Sequence, residues 1–205
     1  MASYTSTKDE TVRLFKSDFF EFFTRVHWSV PLILYVPLMV FVFYQGLINP
    51  LSSVYSLVGF FLLGLFAWTL LEYLLHRLVF HFHVRGKLSE KIIYLFHGIH
   101  HAYPNDSWRL VMPPGVSIPL AFLFYFGFSA LMPDYVFQPF FAGFGLGYLC
   151  YDMIHYSVHH LPLRSKVGQF LKSYHLRHHF QADNRGYGVS SPLWDIVFRT
   201  SPPSR

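Results

Sequence analysis

Four apolar runs limit the architecture open to this chain. None of residues 28–48, 51–75, 113–133 and 135–156 is Lys or Arg. Each run is close to the ~20 mostly apolar residues that a helix needs to cross a bilayer core. Only 13% of residues are charged and 53% are hydrophobic, against about 25% charged in an ordinary soluble domain. The connections at Asn49-Pro50 and Pro133-Asp134 are short, so the runs pair into two hairpins. The expectation is one domain over residues 1–205. It is an all-α integral membrane protein with four transmembrane helices in two hairpins, and residues 76–112 and 157–205 form a helical cap.

All 16 Lys and Arg residues lie before the first run, between the second and third, or after the fourth. Loops with that excess face the cytoplasm. Both termini and the cap are therefore expected there, in the endoplasmic reticulum of a eukaryote or the inner membrane of a bacterium. The same distribution accounts for the formal net charge of +5 without a nucleic-acid partner, and no basic motif with base-stacking aromatics is present. Eight charges in the first 27 residues argue against a cleaved signal peptide. The single Cys150 builds no disulfide framework.

Ten of the 13 histidines fall into four groups: HRLVFH (His76, His81), HGIHH (His97, His100, His101), HYSVH (His155, His159) and HLRHH (His175, His178, His179). On a helix, positions i and i+4 share a face and i+3 lies beside them. His97 and His101 can reach one ion while His100 reaches a second. His175 and His179 divide from His178 in the same way, and His155 pairs with His159. His76 and His81, five apart, need a helix end or a π-bulge, a device common at functional sites. The spacing predicts a di-metal centre with five imidazoles at each ion. His76, His81, His97, His101 and His178 serve the first, and His100, His155, His159, His175 and His179 the second.

Imidazole suits zinc, copper, iron and nickel alike, but structural zinc usually stops at four ligands. Five nitrogens leave a position open on an octahedral iron, so two Fe ions are expected. Zinc can replace them in isolated protein, because it binds such sites more tightly than Fe(II). Glu72, four residues before His76, and Asp152, three before His155, are expected to support ligand rings at their second nitrogen. The plainer alternative for each is an interfacial charge. Asp106, Asp183 and Asn184 are weaker candidates for that role. His27, His83 and His160 read as packed or hydrogen-bonded side chains.

The stretches HRLVFH, HGIHHAYPNDSWRLVMPP, YDMIHYSVHH, YHLRHHF and GYGVSSPLWDIVFRT resemble the fatty acid 2-hydroxylases of sphingolipid metabolism, within the membrane fatty acid hydroxylase and sterol desaturase superfamily. The likeness covers roughly residues 14–200. The histidine boxes point to the superfamily, and PNDSWRLVMPP and GYGVSSPLWD point to the 2-hydroxylase branch. The resemblance implies an O2-dependent di-iron enzyme that hydroxylates C2 of a long-chain fatty acid or of a sphingolipid acyl chain, using two external electrons. Many eukaryotic members carry an N-terminal cytochrome b5-like domain, which 27 residues ahead of the first run cannot hold. A separate carrier, cytochrome b5-like or ferredoxin, is therefore expected. Arg164, Lys166, Lys172 and Arg185 could steer an acidic one. The Tyr103–Pro114 segment is expected at the substrate entry.

Three other functions stay open. A sterol or carotenoid hydroxylase or desaturase would use the same metal core. A metal transporter would place its ligands mid-membrane in broken helices, whereas these lie in the cap. A zinc hydrolase would need an open zinc and a general base, and no HExxH sequence is present.

Overall fold

A computed structural model describes residues 5–81 and 86–203. Among the described residues all regular structure is helical. A short helix α1 (Asp18–Phe22) precedes α2 (Ser29–Ile48) and α3 (Val54–Leu74). The chain continues from α3 as a π-helix, Leu75–Phe80. Helices α4 (Lys87–Ile93) and α5 (Ile99–Ala102) flank a second π-helical stretch, Tyr94–Gly98. Then come α6 (Pro114–Leu131), α7 (Asp134–His160), α8 (Lys166–Phe180) and α9 (Leu193–Val197).

Local chemistry sets the boundaries. Ser53 and Ser56 form a reciprocal capping box that starts α3 just after the Asn49-Pro50 turn. Pro114 occupies the first turn of α6, where its missing N–H costs nothing. Among the described residues three helices are long and apolar enough to cross a membrane: α2, α3 with its π-helical continuation to Phe80, and α6. Their outer faces leave Ile33, Val40, Phe122, Leu123 and Phe126 largely exposed, an apolar surface too continuous for water and suited to lipid.

The fourth run behaves differently. The expected stretch 135–156 is part of α7, a single helix of 27 residues, about 40 Å long. It is long enough to span but is not among the three helices apolar enough to do so. It packs against α2, α3, α6 and α8, and this enclosure is why it can carry Asp152 and His155 fully buried. The expected end of the second run at 75 also moves, because the helix goes on to Phe80 in π geometry.

Helices α3 and α7 cross at backbone contact. A Cβ on Gly64 would lie 1.9 Å from the Phe140 carbonyl oxygen, and one on Gly143 would lie 1.9 Å from that of Phe61. Small residues at such crossings let helices in lipid approach closely enough to gain dispersion energy. The mesh sets the register of α3 against α7. Beside it Tyr35, Trp68, Phe140, Phe144 and Tyr148 form one core cluster, and Met39, Val42, Phe137 and Phe141 form a second.

The N-terminal arm is strapped across the loop after α5. The Ser6 amide donates to the Ala102 carbonyl (2.8 Å) and the Val26 amide to that of Trp108 (2.7 Å). The Thr11 hydroxyl donates to Asp106 (2.6 Å). Buried Arg109 bridges Glu21 (2.9 Å) and Asp106 (3.0 Å). Asp106 therefore braces the arm.

Gly143→Leu should drive α3 and α7 apart and destabilise the protein by about 3 kcal/mol or more. Thermal unfolding in detergent reads this out, and an unchanged midpoint would show that the close crossing does not matter.

Candidate metal centre

The ten histidines of the four groups come from five elements. His76 lies in the π-helix after α3 and His81 directly follows it. His97 sits in the second π stretch, His100 and His101 on α5, His155 and His159 on α7, and His175, His178 and His179 on α8. The π geometry answers the five-residue spacing. The His81 amide donates to the His76 carbonyl (3.1 Å), an i→i+5 bond that sets both rings on one side.

The rings gather in two groups. His76, His81, His97, His101 and His178 offer nitrogens within 4.8 Å of one another, and so do His100, His155, His159, His175 and His179. These memberships coincide with the two sets expected from spacing. In the first group neighbouring Nε2 atoms stand 3.0–3.2 Å apart. In the second they stand 2.9–3.0 Å apart. The groups adjoin, with the His101 and His179 rings stacked at 4.3 Å.

These distances fit a metal. The Nδ1 atom of His76 lies 2.6 Å from the Tyr187 carbonyl, and that of His178 lies 2.7 Å from the Arg185 carbonyl. A carbonyl only accepts, so each Nδ1 carries the proton and each Nε2 presents a lone pair inward. Lone pairs facing one another at 3 Å repel unless a cation lies between them. Nitrogens about 2.1 Å from a common centre and at right angles lie about 3.0 Å apart, whereas a tetrahedron spaces them about 3.4 Å apart. The observed separations match the right-angled arrangement. Burial first, and then the charges of neighbouring rings, hold His97, His100, His175 and His179 well below the usual imidazole range. The neutral form, the one that ligates, is therefore favoured.

The expected acids sit one step further out than their spacing suggests. Glu72 does not touch the His76 ring. Its Oε1 accepts the Val189 and Ser190 amides (2.7 and 2.8 Å), and the Ser190 hydroxyl donates to its Oε2. Glu72 thereby fixes the loop whose Tyr187 carbonyl meets His76. The other side of that loop is held by Asp195, which the histidine spacing did not single out. Asp195 is fully buried and accepts the Tyr187 amide (3.0 Å), the Gly188 amide (2.7 Å) and the Thr200 hydroxyl (2.8 Å). The only sequence signal for it was the run GYGVSSPLWD. Gly188 leaves no room for a side chain there, since a Cβ would meet the Ser191 carbonyl oxygen at 2.0 Å. Asp152 is fully buried, and no hydrogen-bond partner stands at either oxygen among the described residues. Tyr148 and the Met112 amide are its polar neighbours.

Neither His27 nor His160 joins a group. His27 Nδ1 pairs with the Ser29 hydroxyl at 2.8 Å, and the His160 ring stacks on Tyr156 at 4.8 Å. His83 lies outside the described residues, as does Arg85.

The fold and the site define an all-helical protein with membrane-length apolar helices and a buried histidine cluster suited to metal. The chain belongs to the fatty acid hydroxylase family, whose model matches residues 61–200. The resemblance seen in the histidine boxes is borne out. Dihydroceramide fatty acyl 2-hydroxylase FAH1 of Arabidopsis thaliana is 40% identical over 197 residues, covering 96% of this chain and 82% of that protein. The fatty acid 2-hydroxylase of Macaca fascicularis is 37% identical over 215 residues, covering 95% of this chain and 58% of the relative. The structure of full-length Scs7p, in which only the hydroxylase domain is visible, superposes with a TM-score of 0.85 at 37% identity. That match covers 92% of this chain and 73% of the other.

Asp195→Asn turns an amide donor toward the Tyr187 or Gly188 N–H and loosens the loop behind His76. Metal affinity, measured by chelator competition with elemental analysis, should fall by about 10–100-fold while helix content stays. Unchanged affinity would mean that the loop does not orient the ring.

Proposed function

We propose that this chain is a membrane oxygenase that hydroxylates C2 of a long acyl chain, free or carried in a sphingolipid. The C2–H bond becomes C2–OH, and the second oxygen atom of O2 leaves as water with two electrons and two protons. The observation that carries the reading is the convergence of ten imidazoles into two five-nitrogen sets within a chain of the fatty acid hydroxylase family. The names of the relatives, dihydroceramide fatty acyl 2-hydroxylase and fatty acid 2-hydroxylase, supply the position and the substrate class.

His76, His81, His97, His101 and His178 would hold one iron and His100, His155, His159, His175 and His179 the other, with zinc able to occupy either in isolated protein. Bound iron supplies the redox chemistry on O2 that breaking an unactivated C–H bond requires. The chain's own residues do the rest. The Tyr187 and Arg185 carbonyls aim two rings, and Glu72 and Asp195 hold the loop that presents those carbonyls. Burial of the rings keeps bulk water from the reacting carbon. Residues 103–114 border the entry.

The whole chain acts as one domain, with α7 as the fourth span and the cap, both termini and the metal centre cytoplasmic. The placement of Lys and Arg supports that orientation, in the endoplasmic reticulum or a bacterial inner membrane according to source. Electrons come from a separate acidic carrier, a cytochrome b5 or a ferredoxin. Arg164, Lys166 and Arg185 are exposed and half-buried Lys172 lies near them in sequence, a charge pattern that speeds encounter.

Mass spectrometry of lipids from cells expressing the chain under isotopically labelled dioxygen should find one labelled oxygen at C2 of an acyl chain. His100→Ala should lose that product by more than about 100-fold, beyond the effect of removing an outer partner, together with bound metal. Label appearing only on a sterol, or on no lipid, overturns the reading.

A further inference from the structure

Below the metal centre the long helices enclose an apolar cavity with about 490 Å³ of empty space, counted to its open side. Its walls come from α2, α3, α6 and α7. Three hydroxyls belong to its lining residues, and two are spent on each other, because buried Tyr35 donates to Ser117 at 2.8 Å; the third is that of Tyr148. No charged side chain lines it, so apolar burial is the main gain for a ligand there.

Three walls lead directly to the histidines. Leu75, on the cavity, precedes His76. Met112, also on the cavity, ends the stretch that starts at Leu110, whose carbonyl faces His155. On α7 the cavity residues Phe141, Phe144, Gly145 and Tyr148 continue at three- and four-residue steps into Asp152, His155 and His159. These positions form one helix face. At 1.5 Å per residue, Phe141 lies about 21 Å from His155 along the axis, more than half of the ~30 Å hydrocarbon core.

We propose that this cavity is the binding site for the acyl tail of the substrate, with Met39, Phe124 and Phe141 at its deep end measuring chain length. The proposal rests on the acyl-hydroxylase reading above. An extended hydrocarbon laid along the α7 face would keep its tail among carbon atoms and bring its carboxyl end up to the imidazoles. The tail enters past α6, which has only Ser117 buried and forms the lightest-packed wall. At the deep end Met39 lies so close to Gly145 that a Cβ there would meet its sulfur at 2.0 Å. The thioether closes the floor because Gly145 has no side chain.

Two opposed variants test the length gauge. Ala121→Phe fills the cavity from the α6 side and should lower the ratio of long-chain to short-chain hydroxylated product by roughly tenfold or more. Met39→Ala deepens the floor and should move the ratio the other way. Misfolding cannot shift the ratio in both directions. A second readout is independent of turnover. An N-acyl sphingoid lipid with a diazirine at the terminal carbon of its acyl chain, photolysed with the metal-loaded protein, should label Met39, Phe124 or Phe141 themselves, located residue by residue from fragment masses. Label confined to outward-facing Phe122, Leu123 and Phe126, or an unchanged product ratio in both variants while product still forms, overturns the cavity as the tail site. Label in the cavity with no hydroxylated acyl lipid would keep the cavity and overturn the proposed reaction.

Discussion

Ten imidazoles are directed at two buried points, and among the described residues no carboxylate is hydrogen-bonded to their inner nitrogens. The nearby carboxylates of Glu72 and Asp195 are occupied with backbone amides, so they do not face the inner nitrogens. Crowding of this kind is repulsive by itself. It persists only if a cation repays it on binding, or if the packing around it is stiff enough to hold it open. Both apply here. Helices α3 and α7, which carry or lead into three of the rings, cross at backbone contact, and the ring separations match those around a common metal-sized centre.

The stiffness has identifiable sources. The Gly64–Gly143 mesh sets α3 against α7, so the position at which His76 leaves the second apolar helix is locked to the position of His155 on α7. The π-helical turn then adds one residue to the repeat, which turns His81 back toward His76. An α-helix would have carried it round to another face. The loop at 185–190, held between Glu72 and Asp195, supplies carbonyls to His76 and His178. Two rings of the first set, His76 and His178, are thus oriented from outside through backbone, while in the second set the Nδ1 atoms of His100, His159, His175 and His179 have no hydrogen-bond partner among the described residues.

Residues near each other in sequence were legible from the chain alone, and those joined only by the fold were not. The apolar runs 28–48 and 113–133 end within two residues of α2 and α6, because Asn49, Pro50, Pro113, Pro114 and Pro133 punctuate them locally. The grouping of the ten imidazoles could be read from steps of three, four and five, since helical periodicity turns spacing into direction. Glu72 also stood out, but its partner could not be inferred. The carboxylate reaches Val189 and Ser190, 117 and 118 residues away, and no periodicity reports a contact of that separation. Asp195 was missed for the same reason. The expected run passed Asp152 and stopped at 156, and the last turn of α7 to His160 was hidden because composition there is polar. That polarity looks like a helix end at a membrane surface until the helix is seen to be wrapped by its neighbours.

That wrapping lets one helix serve two solvents. Along a single face, α7 passes from phenylalanine through Gly145 and Tyr148 to the buried carboxyl of Asp152 and then to His155 and His159. A side chain on this stripe moves from hydrocarbon to a metal-ligating environment within about four helical turns. A slip of one residue would rotate every position by about 100° and would separate the apolar stretch from the imidazoles it leads to. The backbone-to-backbone crossing with α3 forbids such a slip, because a shifted register would bring a Cβ against the carbonyls of Phe61 and Phe140. The glycines in the membrane-length part of the fold therefore govern the alignment of the chemistry above them, although none of them lies near a histidine.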